Sequence, residues 1–398
     1  MLDDASPLVR RSLAESLASA VEAPPAIVVG LALDQSDVSS VVLSRSPLLT
    51  DAQLIDCASV GDSVAQAAIA LRPELSPAVA SALAEVAGRE ALIALAVNEG
   101  ANLPEFAMRR MVERFSGDSE LREALLGRPW LPGSVRAALA AAAARQLADY
   151  AVGRNWLSPA RSERIAKDSR ERAALIIAAG CAAFSEETAA LAAYLRVSGQ
   201  LTAGLALRAL LCGQTGLFAA TLVELTGMGP RRVAGLIREP AAPAFAALYA
   251  KAGLPTALLV AFHAALTALA RAPRDAAQDA GEEGGWRLPV IQYVLGQCEA
   301  AQDESLARLI ALLRRFEADA AREAGKKGLA RLREEQAEFA APPVAAPTLA
   351  EAPQAVAALT AEAEPAAVES VVELMTEPLS ETDIVVDLVA LEKELMAA

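Results

Sequence analysis

Four leucines, Leu48, Leu75, Leu103 and Leu131, fall 27, 28 and 28 residues apart. Pro77, Pro104 and Pro132 follow the last three at once or two residues on, and each opens a run rich in Ala, Leu, Val and Met. Proline lacks the N–H that a helix interior needs and clashes with the preceding turn, but at the first helical position that N–H is unpaired anyway. A unit of about 28 residues with one such start is long enough for two short helices. No unit of this size can bury an apolar stripe by itself, so successive units must stack. The spacing predicts an α-solenoid, a fold that presents surfaces rather than pockets.

The units repeat in detail. Asp34 precedes Val38, Val41, Val42 and Leu43, and Thr50 and Asp51 are placed to cap the helix that holds Leu54 and Ile55. Asp62 opens the next unit, and Ser76-Pro77 marks a capped helix start within it. The third runs through Leu92 and Leu95, turns between Asn98 and Pro104, and resumes at Phe106, Met108 and Met111. The fourth begins at Asp118 and turns at Arg128-Pro129-Trp130-Leu131-Pro132. Arg45, Arg72, Asn98 and Arg128 stand before the four turns. On one reading Arg45, Arg72 and Arg128 form a ladder along one edge of the stack, lining a concave groove for an acidic peptide, the chain's own tail included. On the other, which is favoured, each caps the carbonyls ending its helix.

Apolar residues make up 54% of the 398 and aromatic residues only 4%, with Ala and Leu dominant. Few stretches carry the Val, Ile, Thr and aromatic content that strands favour, so the chain is expected to be all-α. A HEAT-like α-solenoid over residues 1–145 is followed by a helical domain over 146–271. A flexible, polar loop is expected over 272–286 and a helical extension over 287–339, interrupted at Gly325-Lys326-Lys327-Gly328. Residues 340–398 form an Ala-, Pro- and Glu-rich tail that cannot bury enough apolar surface to fold alone. Its last apolar cluster, from Ile384 through Leu388 and Leu391 to Leu395, lies among Asp383, Asp387, Glu392 and Glu394. An acidic, amphipathic segment of this kind suits docking into a partner's groove, or folding back on its own domain.

Two stretches carry a likeness to known sequences. One is Leu31 to Leu131, with Ser46-Pro47-Leu48-Leu49-Thr50-Asp51 and Ala67-Ala68-Ile69-Ala70-Leu71-Arg72. The other runs from Leu201-Thr202 through Arg208-Ala209-Leu210 and Phe218-Ala219-Ala220 to Ala247-Leu248-Tyr249 and Ala252-Gly253-Leu254-Pro255. They resemble an uncharacterised bacterial family, known only as a domain of unknown function and related in pattern to HEAT-like and leucine-rich-repeat-variant helical proteins. The resemblance implies an all-α repeat fold and supplies no catalytic residues. The acidic tail lies outside it.

Charge and cysteines narrow the function classes. Between residues 340 and 398 eleven acids face one base, Lys393, so −10 of the net −14 sits in the tail and −4 in the rest. An acidic total argues against a general nucleic-acid binder, because phosphate contacts need clustered Lys and Arg, although a local basic patch remains compatible with it. Cys57, Cys181, Cys212 and Cys298 are widely spaced, and His263 is the single histidine, so no metal site is expected and the thiols read as reduced and buried. The N-terminus carries Asp3 and Asp4 with no long apolar run, unlike a secretory signal. The longest uncharged stretch, between Lys251 and Arg271, has an apolar part of about 15 residues, short of the roughly 20 a membrane helix needs. These features together suggest a cytoplasmic protein with no membrane span.

The sharpest local pattern is Leu225-Thr226-Gly227-Met228-Gly229-Pro230-Arg231-Arg232. It is similar to a helix-hairpin-helix turn, in which Gly227 and Gly229 would bring backbone amides to a nucleic-acid phosphate while Arg231 and Arg232 add charge. Val233 stands where that motif wants a small residue, with alanine displaced to Ala234. A purely structural helix–helix turn is the favoured reading. His263 sits among Val260, Phe262, Leu266 and Leu269 with no nucleophile at a suggestive spacing. Glu186-Glu187, after Ser185, fits a helix start, where the macrodipole favours acids. There is no phosphate-cradling glycine loop after a strand, so no cofactor is expected. The sequence thus points to a non-enzymatic scaffold that binds another protein through Arg45, Arg72 and Arg128 or through Ile384, Leu388 and Leu391. A nucleic-acid-associated regulator is the alternative, and homo-oligomerisation is left open.

Overall fold

A computed structural model describes residues 4–183, 185–271, 288–301 and 306–340. Among the described residues there are nineteen α-helices and one 3-10 turn, with no strand, so the fold is all-α. Residues 1–327 form one compact unit, and a second unit begins at Gly328.

The first pair of helices is α1 (Pro7–Leu17) and α2 (Pro25–Ala32). The four repeat units follow as α3 (Ser36–Arg45) with α4 (Asp51–Val60), α5 (Ser63–Ala70) with α6 (Pro77–Val86), α7 (Arg89–Val97) with α8 (Glu105–Arg114), and α9 (Ser119–Leu126) with α10 (Gly133–Gly153). Helices α1, α3, α5, α7 and α9 pack in succession as one layer, and α4, α6, α8 and α10 as the other. This is the stacking order the 28-residue period predicts. Most of these helices are only 8–10 residues long, too short to persist alone in water, so packing and caps must hold them.

The caps are local chemistry written in the sequence. Thr50 and Gln53 form a reciprocal capping box at α4. Asp62 accepts from the amides of Val64 and Ala65, Ser76 from Val79, and Asp118 from Leu121. Between the layers lies a core of Leu31, Leu43, Ile69, Leu83, Leu92, Leu95, Met111 and Leu121, each fully buried. Ala58, Ala80, Ala84 and Ala96 fill the gaps, which is how the chain packs closely with so few aromatics.

Adjacent units are also stitched through their backbones. Arg72 donates to the carbonyls of Leu43 (2.6 Å) and Ser46 (2.7 Å), at the end of α3. Asn98 donates to Ala70 and Arg72, both at 2.7 Å, at the end of α5. Arg128 donates to Ala96, Asn98 and Ala101, all at 3.0 Å, at the end of α7. Arg114 serves the second layer, donating to Ala84 (2.7 Å) and Ala87 (2.9 Å) at the end of α6. Between the second and third turns the chains run close enough for an isolated bridge, with the Asn102 amide donating to the Leu75 carbonyl at 3.0 Å. Gly100 is required there, since a Cβ would meet the Pro73 oxygen at 1.8 Å.

Beyond α9 the helices lengthen. α10 runs unbroken through position 145 to Gly153, and α11 (Pro159–Ala179) packs along it; each has 21 residues. The doubled length is why the period disappears near Gln146. Then come α12 (Glu186–Val197), α13 (Ala203–Leu211), α14 (Thr215–Thr226), α15 (Pro230–Arg238), α16 (Pro243–Lys251), α17 (Leu259–Arg271), α18 (Leu288–Ala300) and α19 (Ala307–Ala340). Their core centres on aromatics: Phe262 stacks on Phe218 (5.5 Å between ring centroids) and tilts against Tyr249 (5.2 Å). The Tyr249 hydroxyl donates to the Pro255 carbonyl at 2.8 Å, which ties the Leu248-Tyr249 and Leu254-Pro255 segments together.

One expectation fails. α19 passes through Gly325-Lys326-Lys327-Gly328 without interruption. A lone glycine costs a helix only about 1 kcal/mol relative to alanine, and the Ala, Glu, Arg, Lys and Leu around these two are strong helix formers. The loop expected over 272–286 and the tail residues from 341 onward, including Ile384, Leu388 and Leu391, lie outside the described residues.

Two predictions concern these stitches and caps. Replacing Arg128 with alanine takes a donor from three carbonyls, of which that of Asn98 keeps the Ala101 amide, and urea titration should show a loss of roughly 2 kcal/mol. Arg128→Lys should recover less than half of it, because a point ammonium cannot fork across three acceptors. The second concerns acid. Hydrogen bonds from the Arg10 side chain to Asp34, from the Ser36 hydroxyl to Asp62, and from the Leu121 amide to Asp118 hold all three carboxyls below their ordinary values. A lowered native value means the stabilisation is complete above the unfolded value of about 3.9 and is lost as the pH falls through the native ones. The urea midpoint should therefore stay level from about pH 7 to 5 and drop below about pH 4, with a smaller drop in Asp118→Asn.

Candidate interaction surface

The repeat arginines are largely committed to the fold. The guanidiniums of Arg72 and Arg128 are half-buried against the carbonyls described above, and burial lowers both from the ordinary arginine value, leaving them charged at neutral pH. Arg45 is exposed and makes no such contact. The three therefore do not form one continuous ladder.

The glycine turn joins α14 to α15. Gly227 takes the left-handed conformation (φ +68°) that ends α14, and Gly229 precedes Pro230 at the start of α15. Val233, the residue out of pattern, is fully buried, while Arg231 and Arg232 are exposed. His263 is half-buried on α17, and its backbone carbonyl accepts from the Thr267 hydroxyl at 2.8 Å. Ser185 caps α12 as its sequence suggests. Glu187 reaches further, accepting from the Gly133 amide (3.1 Å) and from Arg136 (2.9 Å), so it joins α12 to the start of α10.

Cys57, Cys212 and Cys298 are buried, Cys181 is half-buried, and none of the four forms a disulfide. Burial and then the Glu187 charge push the Cys181 thiol up to about 11, the reverse of what an activated nucleophile needs. Among the described residues no group of His, Cys, Asp and Glu is placed to hold a metal ion, and no helix is long and apolar enough to cross a membrane.

Two concavities meet along α11. One is an apolar groove of about 450 Å³ between α10 and α11, lined by the small Ala140, Ala144 and Ala148 and edged by the exposed Leu147 and Ile165. Leu147 is 69% exposed and Trp156, at the end of the pair, 68%. Trp156 sets its edge against Tyr150 at 5.7 Å, and Arg154 lies 5.3 Å over the Tyr150 ring. The other is a cleft of about 620 Å³ bounded by α11, α13 and α19, where Arg161, Arg164, Lys167 and Arg315 gather. Ile165 and Ser169 line both.

Arg208 forms the base of the cleft. It is only 2% exposed, donates to Asp168 (2.7 Å) and Glu171 (2.9 Å), and lies 5.0 Å over the Phe316 ring. It therefore engages the two carboxylates of the cleft from below. Arg161, Arg164 and Arg315 form no ion pair among the described residues, so the cleft presents positive charge on a chain whose total is −14. Sequence reasoning missed this surface. The spacing of Arg161, Arg164 and Lys167 along one helix was a signal for it, but Arg315 comes from a distant part of the chain.

Stacked helix pairs and broad, open concavities define an all-α helical-repeat protein. The chain belongs to a family of uncharacterised proteins conserved in bacteria, DUF2336, whose model matches residues 38–284. No curated protein and no solved structure matches it. The matched span runs from within α3 through α17 and takes in the whole of α10 and α11.

Removing Arg208 would leave Asp168 and Glu171 facing each other without their shared cation. Arg208→Ala should cost roughly 3 kcal/mol in chemical denaturation, with Arg208→Lys a poor substitute because one ammonium cannot serve both carboxylates in the same geometry.

Proposed function

We propose that this protein is a non-enzymatic scaffold or adaptor of the bacterial cytoplasm that binds another protein, in signalling or regulation. The observation that carries the reading is the run of large apolar side chains, Leu147, Tyr150, Trp156 and Ile165, left in water on the α10–α11 pair. Scattered exposed leucines need no explanation, but a patch beside a groove is a feature of interaction surfaces. The raised Cys181 thiol, set against what an activated nucleophile needs, favours binding over catalysis. The tail segment around Ile384, Leu388 and Leu391 is a second protein-binding element on this reading.

The test is in-cell crosslinking with mass spectrometry, comparing the full chain with one that ends at Ala340. Partners recovered by both, with crosslinks on α10 and α11, are the expected result. Partners lost with the tail would move the contact there, and a chain that captures no protein in either form would contradict the scaffold.

A second reading has its own observation: Arg231 and Arg232 are exposed at the start of α15, just after the left-handed Gly227. It makes the protein a nucleic-acid-associated regulator. Retention on a DNA column at about 50 mM salt, lost at about 200 mM and abolished by the double change Arg231→Ala and Arg232→Ala, would replace the scaffold reading.

A further inference from the structure

We infer that the α10–α11 groove receives an acidic amphipathic helix of a partner protein, its apolar stripe in the groove and its carboxylates on Arg161, Arg164 and Arg315. The inference rests on the scaffold reading and names the chemistry of the partner. Three features of the surface lead to it.

The first is shape. Ala140, Ala144 and Ala148 recur every fourth residue on α10 and alanines make up most of the lining, so much of the groove has no side chain beyond Cβ and a helix can approach to the usual 8–10 Å or so between axes. A helix of 21 residues is about 31 Å long, room for several turns of a partner laid alongside. The second is apolar surface. Leu147 and Ile165 stand at the edges of the groove with about half or more of their surface in water, ready to grip residues spaced at i, i+3, i+4 and i+7.

The third is charge. Ile165 and Ser169 belong to groove and cleft alike, so a helix seated in the groove has the basic cleft along one flank. Asp168 and Glu171 are already engaged by Arg208, whereas Arg161, Arg164 and Arg315 pair with no carboxylate among the described residues. Guanidinium forks match carboxylates in two-point geometry. A chain with a net charge of −14 repels acidic partners at a distance, so a local cationic edge of this kind selects where one can land. A bare polyanion could use the cleft but would gain nothing from the groove.

The probe is a fluorescent synthetic peptide of about 18 residues with leucines at helical i, i+3, i+4 and i+7 spacing and glutamates on the flanks. It is titrated into the full chain by anisotropy, beside a control in which the glutamates are lysines. The acidic peptide should bind, the lysine control should not, and binding should weaken more than about tenfold in Leu147→Asp and in Arg161→Glu/Arg164→Glu. All three substitutions are at exposed positions, so the melting temperature should not move. Equal binding by both peptides, or binding indifferent to either variant, overturns the inference. So does loss with the arginine changes alone, which marks an anion site. A dimer of the full chain that Leu147→Asp dissociates in light scattering also overturns it, by making a second copy the occupant. If the full chain crosslinks to proteins in cells yet ignores the peptide, the inference falls and the scaffold stands; if neither is seen, both fall.

Discussion

The carbonyls that end a helix have no partner within it, and in a stack of short helices that deficit recurs every dozen residues or so. Here much of it is met from the next unit along. Arg72, Asn98 and Arg128 each reach back to the end of the preceding helix in their layer, and Arg114 does the same in the other layer. These contacts fix the spacing and rotation of one helix pair on the next more sharply than alanine-rich packing can. Small side chains slide over one another easily. A guanidinium forked across two or three carbonyls does not.

This arrangement also decides what the arginines are free to do. A cation spent on backbone carbonyls has little left for a ligand, so the regular part of the molecule is structural in its polar chemistry as well as its core. Arg45 apart, arginines free of such duties gather where the repeat ends, at Arg161, Arg164 and Arg315. Where α10 and α11 double in length, Leu147, Tyr150, Arg161, Arg164 and Ile165 on them are left exposed. Irregularity in the stack and opportunity for binding coincide.

How much of this the sequence discloses depends on the range of the interaction. Ser76-Pro77, Asp62 and Asp118 could be read as helix starts because a cap involves residues two or three apart. The capping role of Arg72 and Arg128 was legible too, but its address was not: the acceptors belong to the helix about 28 positions earlier, and periodicity gives a side chain's place without its reach. Near Gln146 the pattern fades although the helix continues to Gly153, since a period reports repetition and says nothing of length. At Gly325 and Gly328 composition suggested a break where neighbouring propensities prevail. The meeting of Arg164 with Arg315 was beyond reach, because nothing local links them.

The backward reach of the caps gives the stack a direction. Either cut would bare apolar core, but in polar terms cutting units away from the front would leave only idle side-chain donors in water, the milder injury. Cutting from the rear would bare the carbonyls of the last remaining helices, a severe one. The same asymmetry applies as the chain leaves the ribosome, where each helix pair stays unfinished until its successor has been made. The growing end is therefore always the frayed end, and closure passes along the molecule one pair behind synthesis.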